Sequence, residues 1–468
     1  MVGVVWLRRS LREFDNTSIV EASKEFDKLV LFYCIDKDYF DEADLGYPRV
    51  RFWHDSLKEL KKSLEEDGKK LIIRHGKPVE ELGSILEETG GEKVFVNQDY
   101  SPYFRKLVKD VENSLGVDVE CVKDSVMFEK EEITTNKGTP YKVYTYFMKK
   151  WFKRSKRKPE KPEEYSTLEN LDSDRIPSLS QLGFEKPDEM GWEWEAGRKT
   201  GLNLLEDFME KIGSYHTGRD KPFVEATSKL SPHLKFGTVS IREAFWRAEE
   251  FRKKDGRVDE GVKTWQEELA WRDFYFQVLW NWPETVEKAF LEDFRGIEWD
   301  HNPDFFDRWR KGETGYPFID AGMRQLRKTG WMHNRLRMAV TSFAAKDLFL
   351  DWREVHRFFS EKFVDAELSS MLGGIQWAYS IGTDAQPYFR IFNPVSQGEK
   401  HDPDGKFVKR FVPELKNVPK KYIHQPWRMP EKVQKESNCI IGSDYPEPIV
   451  EHSEQREKAL ELFKSCKD

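Results

Sequence analysis

The feature that most limits the fold is a change of hydrophobic period partway along the chain. Up to about residue 122, short apolar runs at 2–7, 29–35, 71–73, 93–96 and 117–122 alternate with helix-length amphipathic stretches at 50–66, 79–88 and 103–115. Runs that are apolar along both faces and separated by helices belong to a parallel sheet covered on both sides. From about residue 200 the period is helical almost throughout, at 241–253, 263–279, 319–328, 332–345 and 352–363. The expected fold is therefore a five-stranded, doubly wound parallel α/β domain over 1–130 and an all-α domain over 200–468. The stretch 153–198 is rich in Pro, Lys, Glu and Ser with few periodic apolar positions, so 131–199 is assigned to a long interdomain linker.

Composition narrows the class. A chain of 468 residues exceeds one typical core, in keeping with two domains. No run reaches the roughly 18 apolar residues of a membrane span, and residues 1–7 lack the basic region and cleavage site of a secretory signal. A cytoplasmic protein without a membrane partner is expected. Cys34, Cys121, Cys439 and Cys466 are scattered without metal-ligand or disulfide spacing, so no metal is expected. The formal net charge of -7 argues against indiscriminate coating of nucleic acid but leaves room for a local basic cleft. The Lys- and Arg-rich run 149–158 reads as solvated linker rather than a phosphate-binding strip.

Several groupings carry chemistry. No G-x-G-x-x-G follows the first strand, so the dinucleotide fingerprint is absent there. Most of the 16 Trp are core by default, which leaves a minority for stacking on a planar ligand. Glu268, Trp271, Arg272 and Tyr275 fall at i, i+3, i+4 and i+7 and share one helix face. That mixture suits either an interhelical ion pair beside a packed indole or a ligand-facing wall. Asn334, Arg337 and Met338 share another face, with Arg335 turned about 100° aside. Asn334 can bond the polar edge of a planar ring or base, Met338 offers a soft apolar contact, and Arg335 suits a phosphate. Thr227, Ser228, Lys229, Leu230 and Ser231 precede Pro232 and a helix, and either cap that helix or cradle a diphosphate.

Four motifs together resemble the photolyase/cryptochrome flavoproteins, and within them the class I cyclobutane pyrimidine dimer photolyases. They are Thr329-Gly-Trp-Met-His-Asn-Arg-Leu-Arg-Met338, Gly382-Thr-Asp-Ala-Gln-Pro-Tyr-Phe-Arg-Ile-Phe-Asn-Pro394, Thr227-Ser-Lys-Leu-Ser-Pro232 and Glu268-Leu-Ala-Trp-Arg-Asp-Phe274. The resemblance implies an FAD-binding helical domain in a monomer that acts on UV-damaged DNA. In that picture excited reduced FAD passes an electron to a flipped-out dimer, the cyclobutane ring splits, and the electron returns. Catalytic residues would be Glu268, Trp271, Asn334, Met338 and Trp377. A (6-4) photolyase usually has His at position 338. FAD would be held by Tyr215, residues 227–231, Trp265, Arg272, Asn334, Arg337, Asp365, Glu367 and Met371, and DNA by Arg219, Glu268, Trp271, Tyr275, Asn334, Arg335 and Trp377.

The chain departs from the family pattern in places. Lys229 stands where Arg is common, and Glu367 where a second Asp is frequent. Trp299 and Trp352 match two members of the family's tryptophan relay, but the flavin-proximal third position is Ile375, and Met371 replaces the Asn that faces flavin N5. An antenna chromophore is a further implication. Residues 97–105 lack the Asn-Glu pair of folate-binding members, having Tyr103 and Phe104, so folate is disfavoured against a deazaflavin, a second flavin or none. The alternative functions are a cryptochrome-type blue-light receptor and a flavoprotein with altered photoreduction.

Overall fold

A computed structural model describes residues 1–42 and 44–466. Its first part is a parallel sheet of β1 (Gly3–Leu7), β2 (Lys28–Asp36), β3 (Leu71–Gly76), β4 (Lys93–Asn97) and β5 (Asp118–Val122) in the order β3-β2-β1-β4-β5. Register is fixed by runs such as Val4↔Val30 and Val4↔Val94, which place β1 in the middle with every residue buried. Helices Thr17–Glu25, Tyr47–Glu66, Pro78–Thr89 and Pro102–Leu115 connect the strands. Two hydrophobic clusters on opposite faces of the sheet, one around Val5, Leu31 and Phe52 and the other around Trp6, Phe32 and Val94, account for the unbroken apolar runs.

The remainder is helical. Helices Ile241–Lys254, Asp259–Asn281, Pro317–Thr329, Asn334–Lys346, Trp352–Lys362 and Leu368–Ala378 form its centre, and His452–Ser465 packs near the C-terminal end. The first of these starts at a capping box, Ser240 and Glu243 bonding each other's backbone N–H. Among the described residues no helix is long and apolar enough to cross a membrane.

The stretch read as linker holds more structure than its composition suggests. Tyr144–Lys153 is a helix with Phe147 and Trp151 buried in the helical core, and the Trp151 Nε1 donates to Asp273 at 2.8 Å. Ser166–Thr167 forms β6 and pairs with β2, and Tyr165, Leu171 and Met190 are buried. Isolated apolar anchors among prolines have no period, so periodicity could not find them.

The two parts are joined by a buried charge cluster. Arg242 pairs with Asp15 and Asp124, each at 2.8 Å, and Arg12 pairs with Asp124 at 2.6 Å. All four side chains are at most 2% exposed. Ser240, Ser10 and Thr17 supply further bonds to the two carboxylates. Burial would raise Asp124, but the guanidinium groups of Arg12 and Arg242 hold it well below the usual carboxylate range.

Candidate active site

The Asp259–Asn281 helix opens with Asp259 and Glu260, which complement its N-terminal dipole, and carries Glu268, Trp271 and Tyr275 along one side. Glu268 accepts from Arg219 at 2.7 Å, Arg219 lying just beyond the short helix Tyr215–Gly218. Although about a third of its side chain stays exposed (32%), partial loss of solvation raises the Glu268 carboxyl above its ordinary range, with Arg219 restraining the rise and Glu267 and Asp220 adding to it. One turn on, Trp271 is half-buried and stacks face to face on Tyr144, ring centroids 3.6 Å apart and planes 9° apart. Tyr275 lies 5.4 Å from the same indole. Arg272 leaves this wall: its guanidinium donates to the carbonyls of Ser125 and Leu234 and lies over Phe276 at 4.5 Å. Trp265 is buried against Phe208, which also packs on Tyr215.

The Asn334–Lys346 helix is capped by His333, whose ring accepts from the Arg335 N–H. Asn334 is exposed, with its Nδ2 3.9 Å from the Met338 sulfur. Arg337 donates to both oxygens of Asp365 at 2.8 and 3.0 Å and to the Met332 carbonyl, and lies 4.0 Å over Phe363. Arg335 pairs with Asp220 at 2.7 Å. Arg219 and Arg335, both assigned to DNA, are therefore held by carboxylates here, a pairing that spacing along a single helix could not reveal.

The Leu368–Ala378 helix forms a third side. A Cβ at Gly373 would sit 2.1 Å from the Tyr275 ring, so only glycine permits this approach of the two helices. At Gly374 a Cβ would meet nothing within 4 Å, so bare backbone faces open space. Met371 is half-buried, and Ile375 is buried in the same cluster as Trp299, Trp352 and Tyr379. Trp299 meets Tyr379 edge-on at 5.1 Å, while Trp377 lies beside Phe392. The 227–231 loop approaches the start of the Asn334–Lys346 helix through Lys229, which adopts φ +57° and sets its ammonium 3.7 Å over Trp331. Ser231 opens the helix Ser231–Phe236, whose N-terminus has no side-chain cap.

These features fit FAD. The uncapped turn beside Lys229 offers N–H groups to a diphosphate, and exposed Asn334 offers an amide to a ring edge. Ser369 Oγ and His333 Nε2 are buried without a hydrogen-bond partner. Among the described residues no His, Cys, Asp or Glu cluster is arranged to hold a metal.

A cavity of about 350 Å³ lies between the α/β and helical parts. It opens beyond the C-terminal ends of β1, β2 and β4, where sheet order reverses direction, the usual ligand crevice of an open α/β sheet. Arg8, Arg9, Arg49 and Lys235 face Asp36, Asp99 and Glu367 there, among Tyr39, Phe40 and Tyr103. Glu367 turns its carboxylate to Arg9 and to Lys235, and together with Met371 lines this cavity. Burial, with Arg9 and Arg49 close by, holds Lys235 well below the ordinary lysine range. Arg8 Nη1, Arg49 Nε and His356 Nε2 are buried without hydrogen-bond partners. Sequence reading missed Tyr144, Arg49 and Lys235; only the adjacent Arg8 and Arg9 at the end of β1 carried a signal, through strand order.

Comparison with known proteins agrees with this architecture. Residues 3–164 match the DNA photolyase family and residues 265–465 match the FAD binding domain of DNA photolyase. A deoxyribodipyrimidine photo-lyase of Halobacterium salinarum is 39% identical, the match covering 99% of this chain and 98% of that one. The crystal structure of a bacterial class III photolyase from Agrobacterium tumefaciens superposes with a TM-score of 0.92 at 34% identity, over 100% of this chain and 97% of that one. An archaeal photolyase from Sulfolobus tokodaii with two FAD molecules superposes at 0.84 and 30% identity, over 99% of this chain and all of the other. With an α/β sheet, a helical FAD-binding part and full-length similarity of this extent, the chain belongs to the DNA photolyase family.

Proposed function

We propose that the chain is a light-driven repair enzyme that splits cyclobutane pyrimidine dimers in DNA, the dimer entering flipped out beside Glu268 and Trp271. The setting of Glu268 carries this reading: its carboxyl is raised by burial, is paired with Arg219, and stands one turn from a half-exposed indole. The similarity to proteins named deoxyribodipyrimidine photo-lyase supports it. Bound FAD, once reduced and excited by light, supplies the electron that opens the cyclobutane ring. The chain's own residues bind and orient. Trp271 stacks on the dimer, Glu268 bonds a pyrimidine edge and can hold a proton for it, and Met338 gives an apolar contact to saturated rings. Asn334, Arg337, Asp365 and the 227–231 loop hold the cofactor, and Arg219 and Arg335 exchange their carboxylates for phosphates of the damaged strand. The residues assigned here to cofactor and DNA need no partner chain, in keeping with a monomer, and four free thiols suit the reducing cytoplasm.

The inter-part cavity supports a second, phosphate-bearing planar chromophore, because its orphaned guanidinium and imidazole nitrogens call for an anion beside aromatic rings. Tyr103 and Phe104, where folate-binding members carry an Asn-Glu pair, count against folate. Ile375 and Met371 bear on photoreduction, not on repair itself. Oxidised protein under blue light with external reductant should reduce slowly, Ile375→Trp should speed it, and repair by chemically reduced protein should be unaffected. The deciding assay is illumination of reduced, FAD-loaded protein with damaged oligonucleotides: cyclobutane dimers should be restored and (6-4) photoproducts left intact. Efficient (6-4) repair, or no repair under light, would overturn the assignment.

A further inference from the structure

Tyr144 comes from the stretch that joins the two parts, yet it forms a wall of the site. Its ring lies flat on Trp271 at 3.6 Å, and it is itself buried. A face-to-face sandwich is not the arrangement that aromatic quadrupoles favour, so external anchors must impose it. Two are visible. The Tyr144 hydroxyl donates to the Glu267 carbonyl at 2.7 Å, and its N–H donates to Asp384 Oδ2 at 3.0 Å. Asp384 sits at φ +46° in the turn that follows the Leu368–Ala378 helix, and neighbouring Thr383 donates to the Lys142 carbonyl at 2.7 Å. The 142–144 segment is thus fastened to the peptide preceding Glu268 and to the turn beyond Trp377.

From this geometry we infer that Tyr144 is a positioning residue for dimer recognition: it covers one face of Trp271 and fixes the indole plane, leaving the remaining exposed surface set to receive a flat pyrimidine pair. The inference rests on the proposed role of Trp271. An indole at a half-exposed helix position otherwise samples several rotamers, and each must be frozen out when ligand binds. A ring already clamped has met that cost during folding.

The test uses full-length, FAD-loaded Tyr144→Met and Tyr144→Phe proteins, with affinities measured for a duplex containing one cyclobutane dimer and for its undamaged counterpart. Methionine keeps apolar volume but has no plane, and should weaken dimer binding about fivefold to tenfold, as expected for one aromatic stack. Affinity for undamaged DNA and flavin content should stay at wild-type levels, and Tyr144→Phe should recover most of the lost discrimination. On a Trp271→Ala background, Tyr144→Met should add no further loss. Equal losses on both DNAs, or a full additional loss in the double variant, would overturn the inference. If Trp271→Ala loses discrimination against undamaged DNA while Tyr144→Met keeps the wild-type ratio, this inference alone fails. If neither wild type nor Trp271→Ala discriminates, the proposed function fails with it.

Discussion

Two groups of arginine–carboxylate pairs do opposite work in this molecule. Arg12, Asp15, Asp124 and Arg242 are shut away from water at the junction of the two parts, with hydroxyls filling the remaining bonding positions. Arg219 with Glu268, and Arg335 with Asp220, show comparable 2.7 Å contacts, but their side chains are 18–46% exposed. In the first group water cannot stand in for a lost charge: Asp124 would keep one of its two arginines, but the Asp15 carboxylate is paired with Arg242 and would be stranded without it. In the second, water and incoming phosphates compete for each guanidinium, so the pairs can exchange. Burial, not pairing, separates a structural lock from a binding device.

Breaking the lock should give the largest effect. Arg242→Met leaves Asp15 without its guanidinium and should cost about 3–5 kcal/mol of unfolding free energy, read from the denaturant midpoint. Arg335→Ala removes a similar pair at the rim and should cost no more than about 1 kcal/mol. Equal destabilisation by the two would dissolve the distinction. Next in size, Trp271→Ala should weaken dimer-containing DNA by about 1–3 kcal/mol in a titration, while Glu268→Ala should lower repair yield more than flavin content. The exchange itself is read from salt: Arg219→Ala and Arg335→Ala should each reduce the slope of log affinity against log salt by about one unit, and unchanged slopes would move the DNA path elsewhere.

The smallest expected effect is on pH. Glu268 already lies above the ordinary carboxylate range, and Arg219 restrains it. If a phosphate draws Arg219 away, the carboxyl rises further, and the complex holds more proton than the free protein. Affinity for dimer DNA should then increase as pH falls toward the Glu268 titration range, and Glu268→Gln should flatten the dependence. A wild-type profile already flat would mean that Arg219 stays with Glu268 in the complex.

Not every site residue was equally legible. The Glu268, Trp271 and Tyr275 wall and the Asn334 and Met338 face follow from helical spacing, and the helices that carry them run Asp259–Asn281 and Asn334–Lys346. Spacing also placed Arg272 on the first wall, but the carbonyls of Ser125 and Leu234 draw its guanidinium elsewhere. A pattern can say which face a side chain leaves from, not what it meets after several rotatable bonds.

By itself the sequence determined the alternation of strands and helices, the change to an all-helical remainder, and the motifs that tie the chain to its family. Those are carried by near neighbours: short runs apolar on both faces, a helical period of 3.6, and residue types at fixed spacing. Tertiary structure alone decided that Arg242 reaches Asp15, that Arg219 answers Glu268, that Glu367 turns to Lys235, and that Tyr144 lies flat on Trp271. With 77 basic and 84 acidic residues, local pattern leaves the choice of partner open. Chain closure makes it, because a buried charge or ring keeps only the partner that the packed backbone brings within reach.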